Sequence, residues 1–308
     1  MAPLFEILSP QVPELGFSVS HQKVELDIDL PSRSLRGRTE MTIRPHSKDL
    51  RSVRLNCRQC ELKHLTVNGK SSSGLTYRDP YSRTTLPWKA GAHQYHMLQQ
   101  RIEGQLKSPP EEELIINLPK GLKIEELDPF SEEAQTTFLS KGVGSSKGDG
   151  SATIPELLQS NRFVPIQVNI EFIVKNIRDG MQFVGWEDED LRYPHAYTTN
   201  SLSPGTACCL FPCTDDLTSR STWEISVKCQ RTVGDALRSS KTQPLVNSVK
   251  GSPNAENSSH ALSGVRNQYA NFSEEDQALD LAVICTGDTT DEVRQQMCRR
   301  ILLITIDN

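Results

Sequence analysis

The sequence predicts an all-β, antiparallel fold of saddle- or sandwich-like form. Apolar and polar residues alternate with period two over several segments, tight-turn dipeptides separate those segments, and helical periodicity is scarce before the C-terminus. Val24, Leu26, Ile28 and Leu30 alternate with Glu25, Asp27 and Asp29, giving one apolar and one acidic face. After a turn at 31–34, Leu35, Thr39, Met41 and Ile43 share one parity, and Arg36, Arg38, Glu40 and Arg44 share the other. This is the pattern of an antiparallel hairpin with one wet face, its arginines set to lie opposite the neighbouring carboxylates. Val53 and Leu55 begin a further strand, and Leu65 and Val67 run into Asn68-Gly69, a hairpin signal. A short buried strand over 114–118 is closed by Pro119. The clearest alternation is Ile166, Val168, Ile170, Phe172 and Val174 against Gln167, Asn169 and Glu171. Met181–Val184 follows the turn Asp179-Gly180, and Trp223, Ile225, Val227 and Cys229 alternate with Glu224, Ser226 and Lys228.

Other stretches do not fit the sheets. The first 16 residues read as an N-terminal tail, and the β domain proper as 17–233, with flexible insertions at about 78–110 and 131–160. A polar stretch over 234–276, rich in Ser and Asn, reads as a disordered insertion. In the remainder, 277–308, a helix is expected around 293–303, without a packing partner in the chain.

The 308 residues have 36% hydrophobic content and a net charge of −5, and the mean hydropathy is −0.48. A core diluted by polar insertions follows from these values. A free-standing nucleic-acid binder would show a basic excess, because phosphate neutralisation drives its affinity. Any DNA contact is therefore expected to be local or shared with partners. The first residues lack a basic segment and a long apolar run, so no secretory signal is expected, nor a membrane span. The eight cysteines are then expected as thiols.

No motif carries catalysis. Cys57 and Cys60 have CxxC spacing, but a structural zinc site needs a second pair, and Cys208, Cys209 and Cys213 offer only an irregular cluster. Cys57 shares the parity of Leu55, so a buried core thiol is the simpler reading. Of seven histidines only His93 and His96 lie close together, with no glutamate beside them, and a solvated loop is expected there. The chain has no HExxH, no GxSxG elbow and no Gly-rich phosphate loop. The acidic run at 187–190 reads as a solvated turn rather than a docking patch. Arg51, Arg54, Arg58 and Lys63 form a basic group around the Val53 strand, a weak candidate for phosphate contact. Neither a catalytic, metal nor cofactor-binding residue is assigned.

Several stretches carry a family resemblance. The strand pair at 23–43, with Gly37 in its second strand, resembles the opening of the gluzincin aminopeptidases, and LFPCTDD at 210–216 followed by WEISV at 223–227 resembles their FPC signature and next strand. LNCRQC at 55–60, with YRDP at 77–80 and GMQFV at 180–184, looks more specifically like the aminopeptidase-like subunit of the general transcription factor TFIID. The resemblance covers about 17–233, and the long polar insertions point to a fungal type. It implies an aminopeptidase-type β domain and a non-catalytic scaffold. Its partners would be other TFIID subunits and promoter DNA within the complex, in the nucleus, with no cofactor, membrane or small-molecule substrate. The family enzymes read Asp-Glu-Pro after the FPC element, whereas this chain has Asp215-Asp216-Leu217. Their zinc helix lies in the following domain, beyond this chain. An alternative reading is the N-terminal domain of an active zinc aminopeptidase lacking its catalytic domain. The family match stops near Asp288, so the final residues are expected to be an incomplete edge with a non-native tail, as in a truncated gene model.

Overall fold

The computed structural model describes residues 15–30, 32–83, 113–127, 163–175, 177–185, 192, 195–198, 205–215, 220–239, 273–285, 288–295 and 299–306. The chain is built on strands, as the alternation requires. In chain order they are β1 (Phe17–Asp29), β2 (Ser34–Pro45), β3 (Ser52–Leu55), β4 (Cys60–Val67), β5 (Lys70–Ser71), β6 (Leu75–Tyr77) and β7 (Leu114–Asn117). They continue with β8 (Ile166–Val174), β9 (Met181–Val184), β10 (His195–Thr198), β11 (Thr222–Gln230), β12 (Asp288–Gln295) and β13 (Arg299–Ile306). Helices α1 (Val233–Ser239) and α2 (Glu274–Gln277) are short.

Eight strands form the main sheet in the order β12-β13-β11-β1-β2-β8-β4-β5, beside a three-stranded sheet β3-β7-β6 and the hairpin β9–β10. The β1–β2 register places Asp27 opposite Arg36, Glu25 opposite Arg38 and Lys23 opposite Glu40. Register with β11 and β8 extends these into rows of alternating sign, Lys228–Asp27–Arg36, Glu25–Arg38–Glu171 and Glu224–Lys23–Glu40. That face is solvated, since opposite charges on neighbouring strands satisfy one another. The other face is dry: Val24, Met41, Ile43, Val168 and Ile170 share one core with Val53, Leu55, Leu114 and Ile116 of the smaller sheet. Gly37 belongs to this dry face. The Phe172 ring of β8 lies over its backbone, where a Cβ would come within 2.3 Å of the ring. The turn residues Asn68 and Gly69 both have positive φ, +48° and +74°, as a tight hairpin demands.

The structure corrects several expectations. The sheet is not wholly antiparallel, because β1 and β11 run parallel; strands far apart in sequence are joined by long connections, which permit either direction. The helix expected around 293–303 is replaced by β12 and β13, and β13 pairs antiparallel with β11 from Trp223–Ile306 to Gln230–Arg299. A short apolar run cannot by itself be told from a helix segment, and the backbone groups along β11 supply the pairing that decides it. Both ends of the stretch read as a disordered insertion are helical, in α1 and α2, while 240–272 lies outside the described residues. Residues 1–14 of the tail expected at 1–16, 84–110 of the insertion expected at about 78–110, the segment 131–160, His93, His96 and the acidic run at 187–190 also lie outside them. Among the described residues no helix is long and apolar enough to cross a membrane.

Candidate functional site

LNCRQC at 55–60 and LFPCTDD at 210–216 are far apart in sequence, yet they interlock. β3 stops at Leu55, so the CxxC stretch is not a continuous core strand; it crosses as a loop from the smaller sheet to Cys60, which opens β4 in the main sheet. Within that loop Asn56 and Cys213 exchange backbone hydrogen bonds of 2.8 and 3.1 Å, and the Arg58 N–H donates to the Cys208 carbonyl at 2.8 Å. The Asn56 Oδ1 accepts from the Asp215 N–H at 3.1 Å, and the Asp215 Oδ2 accepts from the Cys208 N–H at 3.0 Å. Asp215 thus holds the turn Ala207–Cys209. It lies so close to Gly205 that a Cβ there would meet the carboxylate at 2.0 Å.

Arg58 and Glu113 form the charged centre of this junction. The Arg58 Nε donates to Glu113 Oε1 at 2.7 Å, with side-chain exposures of 3% and 6%. The Glu113 Oε2 accepts from the Cys57 N–H at 2.9 Å, and the Arg58 Nη1 donates to the Gly205 carbonyl at 3.2 Å. Burial pushes the Glu113 carboxyl above its ordinary range, and the Arg58 charge pulls it back in part. Burial pulls the Arg58 guanidinium down, but the Glu113 carboxylate bonded to it acts against this and holds the cation. The basic group expected around β3 is therefore not one surface. Arg58 is buried, Lys63 contacts Glu61, Arg51 contacts Asp49 at 3.5 Å, and Arg54 donates to the Leu15 carbonyl at 3.4 Å.

Gln59 occupies the left-handed region at φ +49° and saturates its amide. Its Nε2 donates to the carbonyls of Asp179, at 2.6 Å, and Cys209, at 2.9 Å, and its Oε1 accepts from the Arg178 N–H at 2.9 Å. The YRDP stretch closes the other side. The Tyr77 hydroxyl accepts from the Cys60 N–H at 3.1 Å, and Asp79 Oδ1 accepts from the N–H groups of Gln59 and Tyr81. The Tyr81 hydroxyl donates to Asp179 at 2.6 Å under the Arg178 guanidinium, which sits 5.2 Å from the ring centre.

Cys57, Cys60, Cys208, Cys209 and Cys213 all pack here as buried free thiols, as expected for Cys57. The Cys57 side chain and then burial push Cys60 well up; the Cys209 side chain and then burial do so for Cys208; and burial leads for Cys213. A thiol so raised stays protonated at neutral pH and is a poor nucleophile. Among the described residues no group of three His, Cys, Asp or Glu is placed to hold a metal ion. Glu113, Asp215, Gln59 and Asp179 were missed as members of this cluster. Their signal was slight: Glu113 ends an acidic triplet, and Gln59 lies inside the CxxC.

A shallow groove on the wet face is lined mainly by charged residues, among them Glu25, Asp27, Arg36, Arg38, Glu171 and Lys228. These are the same residues that alternate in sign across the strands, so the groove reads as a self-neutralised sheet surface.

No protein-family model matches the chain. It is 29% identical over 278 residues to transcription initiation factor TFIID subunit 2 of Schizosaccharomyces pombe, across 89% of this chain and 20% of that protein. The same-named subunit of Saccharomyces cerevisiae is 25% identical over 230 residues, across 71% of this chain and 16% of its own. For Drosophila melanogaster the values are 24% over 223 residues, 70% and 16%. The resemblance drawn from LNCRQC and its neighbours is borne out by these relatives. The chain spans about a fifth or less of their length. Among solved structures it resembles an M1 zinc metallopeptidase from Deinococcus radiodurans, at 10% identity and TM-score 0.44 over 95% of this chain and 39% of the other. It also resembles yeast LTA4 hydrolase in complex with bestatin, at 14% identity and TM-score 0.43 over 75% and 28%.

Proposed function

We propose that this chain forms an aminopeptidase-like β domain of a TFIID subunit 2, serving as a non-catalytic scaffold in the nucleus. It would hold other TFIID subunits, and through them promoter DNA, so supporting core-promoter recognition and assembly of the RNA polymerase II preinitiation complex. The observation that carries this reading is the sequence similarity to the Schizosaccharomyces pombe subunit, which extends over 89% of the chain. The interlocked junction supports it. The stretches that resemble the family are spent on internal hydrogen bonds, and the five thiols there are buried and free. On this reading the fold presents surfaces and performs no turnover.

The test is affinity purification of the full-length gene product from its own cells, followed by mass spectrometry. Recovery with other TFIID subunits is expected. Recovery without them, together with hydrolysis of aminoacyl-naphthylamides by the purified product, would overturn the proposal in favour of an aminopeptidase.

A further inference from the structure

The run LAVIC at 281–285 is apolar and of strand-forming type, yet it belongs to no sheet. Ile284 is 93% exposed, well beyond any other large apolar side chain among the described residues. The run issues from an antiparallel bridge between Thr232 and Asp280. There the Leu281 N–H donates to the Arg231 carbonyl at 2.7 Å, and the Val233 N–H to the Leu279 carbonyl at 3.1 Å. Thr232 lies just past the end of β11. Carried back along β11, that register sets Ala282 opposite Gln230, Val283 opposite Cys229, Ile284 opposite Lys228 and Cys285 opposite Val227. Those four places are held by Arg299, Arg300, Ile301 and Leu302 of β13, while β1 takes the other edge of β11.

We propose that 281–285 exchanges with β13 as the antiparallel partner of β11, which makes this end of the main sheet a two-state element. The parity of the run already suits the exchange. Leu281 and Val283 are half-buried, Ala282 and Ile284 are exposed, and Leu281 packs against the core. Cross-strand partners share a face. The exchange therefore brings Val283 and Cys285 to the side of β11 that holds buried Cys229 and half-buried Val227. It also sets a valine across from Cys229, where the present register has Arg300. β13 is open to replacement because RRILLITI is apolar at consecutive positions, so its own pattern specifies register weakly. The bridge at Thr232 supplies the nucleus, and pairing proceeds from it as β13 peels away from its Arg299 end.

The test uses Cys229 as reporter in the full chain carrying Cys285→Ser, oxidised by copper-phenanthroline in native buffer and mapped by mass spectrometry. Arg300→Cys reads the register of the structure and should couple to Cys229. Val283→Cys should couple to Cys229 as well, more slowly, while Ala282→Cys and Ile284→Cys, on the opposite face, should not. A second readout retains Cys285: Leu302→Pro, which removes a ladder donor from β13, should slow maleimide labelling of Cys285 several-fold as the run takes the vacated edge. Coupling of Arg300→Cys alone, equal coupling from positions 282, 283 and 284, or Cys285 labelling that is unchanged or faster in Leu302→Pro would overturn the proposal.

Discussion

Replacing Glu113 by alanine should be among the most damaging single changes in the chain. The substitution removes the acceptor of two hydrogen bonds, from Arg58 Nε at 2.7 Å and from the Cys57 N–H at 2.9 Å. It leaves a guanidinium of 3% exposure with the Gly205 carbonyl beside it and no counter-charge contact in its place. Breaking a buried pair from one side costs about 3–5 kcal/mol, because the surviving charge stays desolvated. By contrast, Lys23 and Glu224 are 2.8 Å apart but 38% and 37% exposed. Solvent screens that pair, and Glu224→Ala should cost about 0–1 kcal/mol. Urea unfolding of the 308-residue chain, followed by far-UV circular dichroism, measures both. Adding Arg58→Met to Glu113→Ala should restore part of the loss, since the unpaired charge is then gone. A Glu113→Ala cost below about 1 kcal/mol, or a double variant less stable than the single one, would refute the reasoning.

Three further outcomes follow from the same geometry. Gly37→Ala should destabilise by about 1–3 kcal/mol through overpacking, because the new Cβ would sit 2.3 Å from the Phe172 ring; Phe172→Leu should offset part of this, and simple additivity of the two changes would count against the clash. In native protein at pH 8, a maleimide should label Cys285, which is exposed, and spare Cys57, Cys60, Cys208, Cys209, Cys213 and Cys229, which are buried; peptide mapping that finds the junction thiols modified without denaturant would contradict their burial. Tyr77 and Tyr81 are pushed above the ordinary phenol value of 10.0, burial leading in both. The unfolded chain therefore releases these protons first, so their contribution is intact below pH 10 and is lost as the pH rises beyond it. Absorbance at 295 nm should show a tyrosinate step that coincides with loss of circular dichroism and shrinks in Tyr77→Phe and Tyr81→Phe; ionisation of both residues in folded protein would exclude this account.

The fold was legible where a single periodicity settles the structure. Alternation in β1, β2 and β8 fixes which side chains enter the core, and it also anticipated the arginines of β2 opposite the carboxylates of β1. Direction and partner were less legible, because alternation is the same in parallel and antiparallel strands; hence the β1–β11 pair was missed. RRILLITI shows neither period cleanly, so its state is set by the neighbouring strand rather than by its own residues. The junction was legible only in its parts. Burial of Cys57 followed from parity, but nothing local announces that Glu113 will face Arg58 across 55 positions. A buried ion pair is a tertiary fact, and only the folded chain assembles it.

This also explains how a sequence can resemble a peptidase family without promising peptidase chemistry. Catalytic groups need spare valence: an acceptor, a donor or a thiolate aimed at something other than the protein. In this junction Glu113 is committed to Arg58 and Cys57, Asp215 to Cys208, Asp179 to Tyr81 and Gly180, and Gln59 to three backbone groups. Removing Asp215, Asp179 or Gln59 would strand a buried hydrogen-bond partner at about 1–3 kcal/mol, less than the loss of Glu113, which strands a charge. Cys57, Arg58 and Gln59 on one side, with Cys208, Cys209, Cys213 and Asp215 on the other, are best understood as the two halves of a clasp. They mark a way of closing the fold.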